Sequence, residues 1–108
     1  MTLDQPGLVN PEANSIQLFR MDGEEYRSVD LVLKDGGLQL SAHDMGPSVE
    51  RYWGDDDYEF WVEIKPHAMR QLAVALLRDR YMGRVHAVDE FREFCEQNAI
   101  EHVFDNWA

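Results

Sequence analysis

The side chains best able to do chemistry crowd into one stretch, Trp53-Gly54-Asp55-Asp56-Asp57-Tyr58-Glu59-Phe60-Trp61-Val62-Glu63-Ile64-Lys65. Three chemistries compete for its carboxylates. The first is electrostatic recognition. Asp55, Asp56, Asp57, Glu59 and Glu63 make an acidic patch for a cationic partner, and Asp44 and Glu50 extend it. Trp61 lies among them. A tryptophan on a polar strand face is out of place unless a helix or a partner covers it, and tryptophan is enriched in binding hot spots. A solvated turn and strand face would carry the same charges with no partner. The second chemistry is calcium coordination, which needs a glycine at the sixth loop position and a glutamate at the twelfth. Counted from Asp55 those positions hold Phe60 and Pro66, so the loop does not match. The third is metal-dependent phosphodiester cleavage. Glu63-Ile64-Lys65 has the Glu-x-Lys form of a large nuclease class, with Asp44 or Asp57 as the upstream acid. Two carboxylates would hold a divalent ion and the lysine would stabilise the attacking water. Glu-x-Lys arises often by chance, however, and a nuclease needs basic surface for its substrate.

No other residues form a reactive constellation. His43, His67, His86 and His102 are scattered, without the spacing of paired metal ligands, and no Cys-His pairing suggests zinc. There is no nucleophile elbow and no phosphate-cradling glycine loop. The sequence therefore assigns no catalytic residue, no metal ligand and no cofactor, and it reads as a binding protein, not an enzyme.

The totals agree with that reading. A chain of 108 residues and 12.6 kDa fits one domain with one core. Its net charge of −11 opposes direct binding to nucleic acid or to an anionic membrane and favours a basic partner. Charge is also uneven. Between 65 and 84, Lys65, Arg70, Arg78, Arg80 and Arg84 face only Asp79, a local balance of +4 that leaves −15 elsewhere. The single cysteine, Cys95, cannot make an internal disulfide, which fits a reducing compartment. No basic start leads into an apolar core, and no apolar run is long enough for a bilayer, so the expected location is the cytoplasm.

The elements that must position the acidic stretch follow from periodicity. Tyr58, Phe60, Val62 and Ile64 alternate with Asp57, Glu59, Trp61, Glu63 and Lys65, which predicts a strand with one buried apolar face. Upstream, residues 1–15 read as a flexible lead-in to a single domain over 16–108. Strands are predicted over Ile16–Met21, Tyr26–Lys34 and 38–43, with Asp35-Gly36-Gly37 as a tight hairpin. Pro47 opens a short helix with Val49, Tyr52 and Trp53 inward, and Gly54 ends it in a left-handed cap. A long helix starts at Lys65-Pro66 and buries Met69, Leu72, Ala73, Leu76 and Leu77, with Gly83 as its stop. A second runs from Ala87 to Asn98 with Val88, Phe91, Phe94 and Cys95 inward and Asn98 as a left-handed cap. Ile100–Phe104 reads as a final strand. The predicted class is α+β: an antiparallel sheet, in the order β-β-β-α-β-α-α-β, with helices packed on one face.

Asp35-Gly36, Asp44-Met45-Gly46, Trp53-Gly54, Asp57-Tyr58-Glu59 and Trp107 together make a loose pattern over residues 26–108. In it the chain resembles a set of small bacterial proteins known mainly as hypothetical proteins. Some small acidic bacterial proteins of this size are immunity proteins that neutralise a toxin. The resemblance implies no functional residue. Joined to the charge argument, it leads to an acidic inhibitor of a basic toxin, such as a nuclease, as the expected function. A nucleic-acid mimic that inhibits a defence protein is the alternative, and a metal-dependent nuclease using Glu63 and Lys65 is a more distant one.

Overall fold

A computed structural model describes residues 14–107. The chain divides into two compact units, Met1–Met69 and Arg70–Ala108. Most of the lead-in expected over 1–15 lies outside the described residues.

The first unit is a four-stranded antiparallel meander in the order β1-β2-β3-β4, with one short helix. Its strands are β1 (Ser15–Met21), β2 (Tyr26–Lys34), β3 (Gly37–Met45) and β4 (Asp57–Ile64), and α1 (Pro47–Trp53) joins the last two. The α+β class and the antiparallel sheet are as expected. Asp35 and Gly36 both take positive φ, 51° and 82°, which is the backbone of a two-residue type I′ turn. Gly37 has a different reason to be glycine. A Cβ there would stand 2.1 Å from the Ile64 carbonyl oxygen. The β2–β3 hairpin therefore docks its backbone against the end of β4.

Register sorts the side chains by face. Val29, Ala42 and Phe60 align across β2, β3 and β4, as do Leu31, Leu40 and Val62, then Leu33, Leu38 and Ile64. On β1, Ile16 and Phe19 join these rows, and a bulge between Gln17 and Phe19 resets the register. The face is apolar as predicted but not deeply buried. Tyr58 and Ile64 are half-buried, whereas Phe60 and Val62 are 39% and 65% exposed. The described part of this unit is one sheet layer with a seven-residue helix and a 3-10 turn, too little to bury a whole sheet face.

On α1 only Val49 is buried as expected. Tyr52 is 84% exposed, and Trp53 instead stacks on the Tyr58 ring at 4.8 Å, which places α1 beside the apolar face. Gly54 closes the helix with φ 76°, the predicted left-handed cap. Glu25 caps the other end by accepting hydrogen bonds from the Ser48 backbone N–H and hydroxyl, at 3.0 and 2.6 Å.

A 3-10 turn over Pro66–Ala68 closes the first unit, and in the second α2 (Met69–Tyr81) is followed by α3 (Ala87–Gln97). Tyr81 meets Phe91 edge-on at 5.7 Å, and the Arg80 guanidinium lies 4.7 Å from the Phe94 ring centre. The stripe expected to be buried on α2 is not. Met69 and Leu72 are half-buried, and Ala73, Leu76 and Leu77 are exposed. On α3, Cys95 is buried at 3% exposure and Phe94 half-buried, while Val88 and Phe91 are exposed.

Two local predictions for the end of α3 are corrected. Asn98 is not left-handed; its φ is −104°, and the left-handed residue is Ala99, with φ 53°. Ile100 N–H donates to the Cys95 carbonyl at 2.9 Å and Ala99 N–H to that of Glu96 at 3.3 Å, the paired bonds of a Schellman motif. The strand expected over Ile100–Phe104 does not form, and those residues carry no regular structure. A strand needs a neighbour for its ladder, and the described part of this unit offers only helices.

Candidate functional site

The polar face of β4 is the site the sequence pointed to. Asp57, Glu59, Trp61 and Glu63 fall on it at two-residue steps, a row about 20 Å long. Among the described residues β4 pairs only with β3, so the row sits on an edge strand. Across the ladder Glu59 faces His43, Trp61 faces Ser41 and Glu63 faces Gln39. Asp55 and Asp56 stand exposed in the loop before the strand. That loop is held at both ends. Gly54 N–H donates to the Glu50 carbonyl at 2.9 Å, and Gly46 N–H donates to the Asp56 carbonyl at 3.2 Å. Trp61 is 57% exposed, so the tryptophan stands open in the middle of the carboxylate row.

Two predicted members stand apart. Asp44 pairs across strands with Arg27 and Tyr58, so it projects from the apolar face. There Arg27 donates from Nε and Nη2 to both Asp44 oxygens at 2.5 Å, and its guanidinium also lies 5.6 Å from the Phe60 ring centre. Those hydrogen bonds, more than the charge itself, hold the Asp44 carboxyl below the usual carboxylate range. Its charge is spent within the sheet. Glu50 is exposed on α1, whose Trp53 packs with the opposite face.

Glu63 accepts a hydrogen bond from Lys65 Nζ at 3.0 Å, which lowers its carboxyl pKa, with Lys34 adding a smaller effect. Of the two acids considered for a nuclease centre with Glu63 and Lys65, Asp44 is on the other face and Asp57 is about 20 Å along the strand. The geometry brings neither to them.

The residue that sequence reasoning missed is His43. Its Nε2 contacts Asp57 Oδ1 directly and lies 3.9 Å from Glu59 Oε1. One donor atom from each of the three side chains lies within 4.8 Å of the other two, a spacing that a single cation can bridge. The edge of the Tyr26 ring meets the imidazole, with 6.1 Å between ring centroids. The alternation of β3 put His43 on the polar face; its partner on β4 depended on a register that sequence does not reveal.

On the second unit the basic residues are partly engaged. Arg84 donates to both oxygens of Glu90, at 2.5 and 2.8 Å, and Arg80 packs on Tyr81 and Phe94. No helix among the described residues is long and apolar enough to cross a membrane. Comparison of the chain with protein-family models, with curated proteins and with solved structures returns no match.

Proposed function

We propose that the chain is a cytoplasmic binding protein, an immunity protein or similar inhibitor that neutralises a basic toxin, most simply a nuclease. The observation that carries this reading is the exposed Trp61 set in the row of Asp57, Glu59 and Glu63 on an edge strand. A nuclease must present Lys and Arg to hold phosphates, so an acidic face is the complementary surface. The exposed carboxylates supply steering, and Trp61 supplies apolar area for an anchor once water is displaced. Asp55 and Asp56 add charge at one end of the row. Asp44, neutralised by Arg27, contributes none in this reading.

The test is recovery of the partner from the native host with the tagged chain, followed by assay of that partner. The expected result is a basic protein whose toxicity or nuclease activity the chain abolishes at equimolar ratio, with Trp61→Ala relieving the inhibition. A partner that is not inhibited, or that Trp61→Ala inhibits as fully as the wild-type chain does, overturns the reading. Recovery of an enzyme that acts on DNA as a host defence would transfer the same surface to the nucleic-acid-mimic class.

A further inference from the structure

His43, Asp57 and Glu59 form a second kind of site on the same sheet. Antiparallel pairing sets His43 of β3 directly opposite Glu59 of β4, and the two-residue period of β4 puts Asp57 on the same face one step away. The three side chains converge, Asp57 through its contact with His43 Nε2 and Glu59 with its Oε1 3.9 Å from the same nitrogen. The Asp57 and Glu59 side chains are 53% and 65% exposed. Two carboxylates drawn to one point repel, so the arrangement calls for positive charge between them. Among the described residues no lysine or arginine pairs with either acid, and Asp55 and Asp56 deepen the negative potential beside them. The imidazole is the anchor. It is two-thirds buried, with Tyr26 against it, and it directs Nε2 at the carboxylates.

One imidazole nitrogen and two carboxylate oxygens are a donor set for a first-row transition ion. Magnesium and calcium prefer all-oxygen shells, whereas zinc takes nitrogen and oxygen together. Metal–ligand bonds of about 2.0–2.2 Å place neighbouring donors about 3–4 Å apart, so donors already within 4.8 Å need only small side-chain rotations. The geometry points to a divalent transition-metal site of the zinc class at His43, Asp57 and Glu59, completed by water. The ion clips β4 to β3 at the start of the edge strand. It therefore stabilises the folded sheet in proportion to its binding. This site does not depend on the identity of any protein partner.

The experiment is calorimetric titration of the chelator-treated full chain with Zn2+, Ni2+, Mg2+ and Ca2+, alongside thermal melts. One equivalent of Zn2+ should bind at least tenfold more tightly than Mg2+ or Ca2+. It should raise the melting temperature. His43→Gln and the double variant Asp57→Asn, Glu59→Gln should each weaken Zn2+ at least tenfold, whereas His67→Gln and His102→Gln leave it unchanged. Melts in chelator show whether each variant is folded, and the double variant stands in if His43→Gln is not. The proposal is overturned by absence of stoichiometric binding, by equal binding of Mg2+, or by Zn2+ binding that survives both cluster variants. The cluster is then a plain His43–Asp57 hydrogen bond.

Discussion

At the scale of single residues, two positions show how little the type of a side chain says until its face is known. Asp44 reads in sequence as one more acid of the patch, yet it is the cross-strand partner of Arg27 on the apolar face. Removing it as Asp44→Ala leaves the Arg27 guanidinium without its bidentate acceptor beside Phe60. The expected loss is about 1–2 kcal/mol, read as a lower melting temperature. By this logic the same change leaves partner binding intact, which separates Asp44 from Asp57 and Glu59. Ala99 is the opposite case. It sits at the left-handed position of the Schellman motif, where a Cβ is strained and glycine is not. Ala99→Gly should therefore stabilise the helical unit by about 1 kcal/mol in urea unfolding. Its spacing from Val88 and Phe91 puts Cys95 on the inward stripe of α3, and of the three only Cys95 is buried. A thiol reagent should modify the native protein far more slowly than the unfolded chain.

At the scale of elements, the strands and the turns that bound them were legible because each depends on a local rule. Alternation gave β2, β3 and β4, Asp35-Gly36 gave the type I′ turn, and Gly54 gave the α1 cap. What was not legible depends on partners distant in sequence. The β3–β4 register, and with it the meeting of His43 with Glu59, is set across a connection that contains α1. The apolar spacing of Ile100–Phe104 suited a strand, but spacing cannot supply the neighbour that a strand requires. Arg84 and Glu90 make a local electrostatic pairing instead, six residues apart, with Glu90 in the first turn of α3. The hydrogen bonds from Arg84 lower the Glu90 carboxyl pKa in the folded state. A lowered carboxyl pKa adds stability that is present above the unfolded value, about 4.3, and is lost as pH falls through the folded one. Acid titration of helix content should thus show a loss below about pH 4 that is shallower in Arg84→Gln, with the difference shrinking in high salt because the pair is solvent-exposed.

At the scale of the whole molecule, charge and apolar surface divide the work of recognition between rate and lifetime. The chain carries −11 in total, and the loop and edge strand hold Asp55, Asp56, Asp57, Glu59 and Glu63 within nine consecutive residues. A field of that kind acts before contact and is screened over about 8 Å at physiological ionic strength. Asp55→Lys with Asp56→Lys should therefore slow association with a basic partner severalfold and flatten its salt dependence, while dissociation changes little. The fold should tolerate the change, because both side chains are exposed in the loop and their mutual repulsion is relieved. Trp61 acts at the other stage. Its ring is 57% exposed in the free chain and gains most when water leaves the interface. Trp61→Ala should raise the dissociation rate and cost about 2 kcal/mol or more of affinity, with the association rate nearly unchanged. Because the ring is exposed, its removal should barely move the melting temperature. Stopped-flow association, measured dissociation and a thermal melt on the two variants separate these roles. If neither variant alters binding to the recovered partner, the acidic row is a solvated strand face, and recognition belongs to another surface.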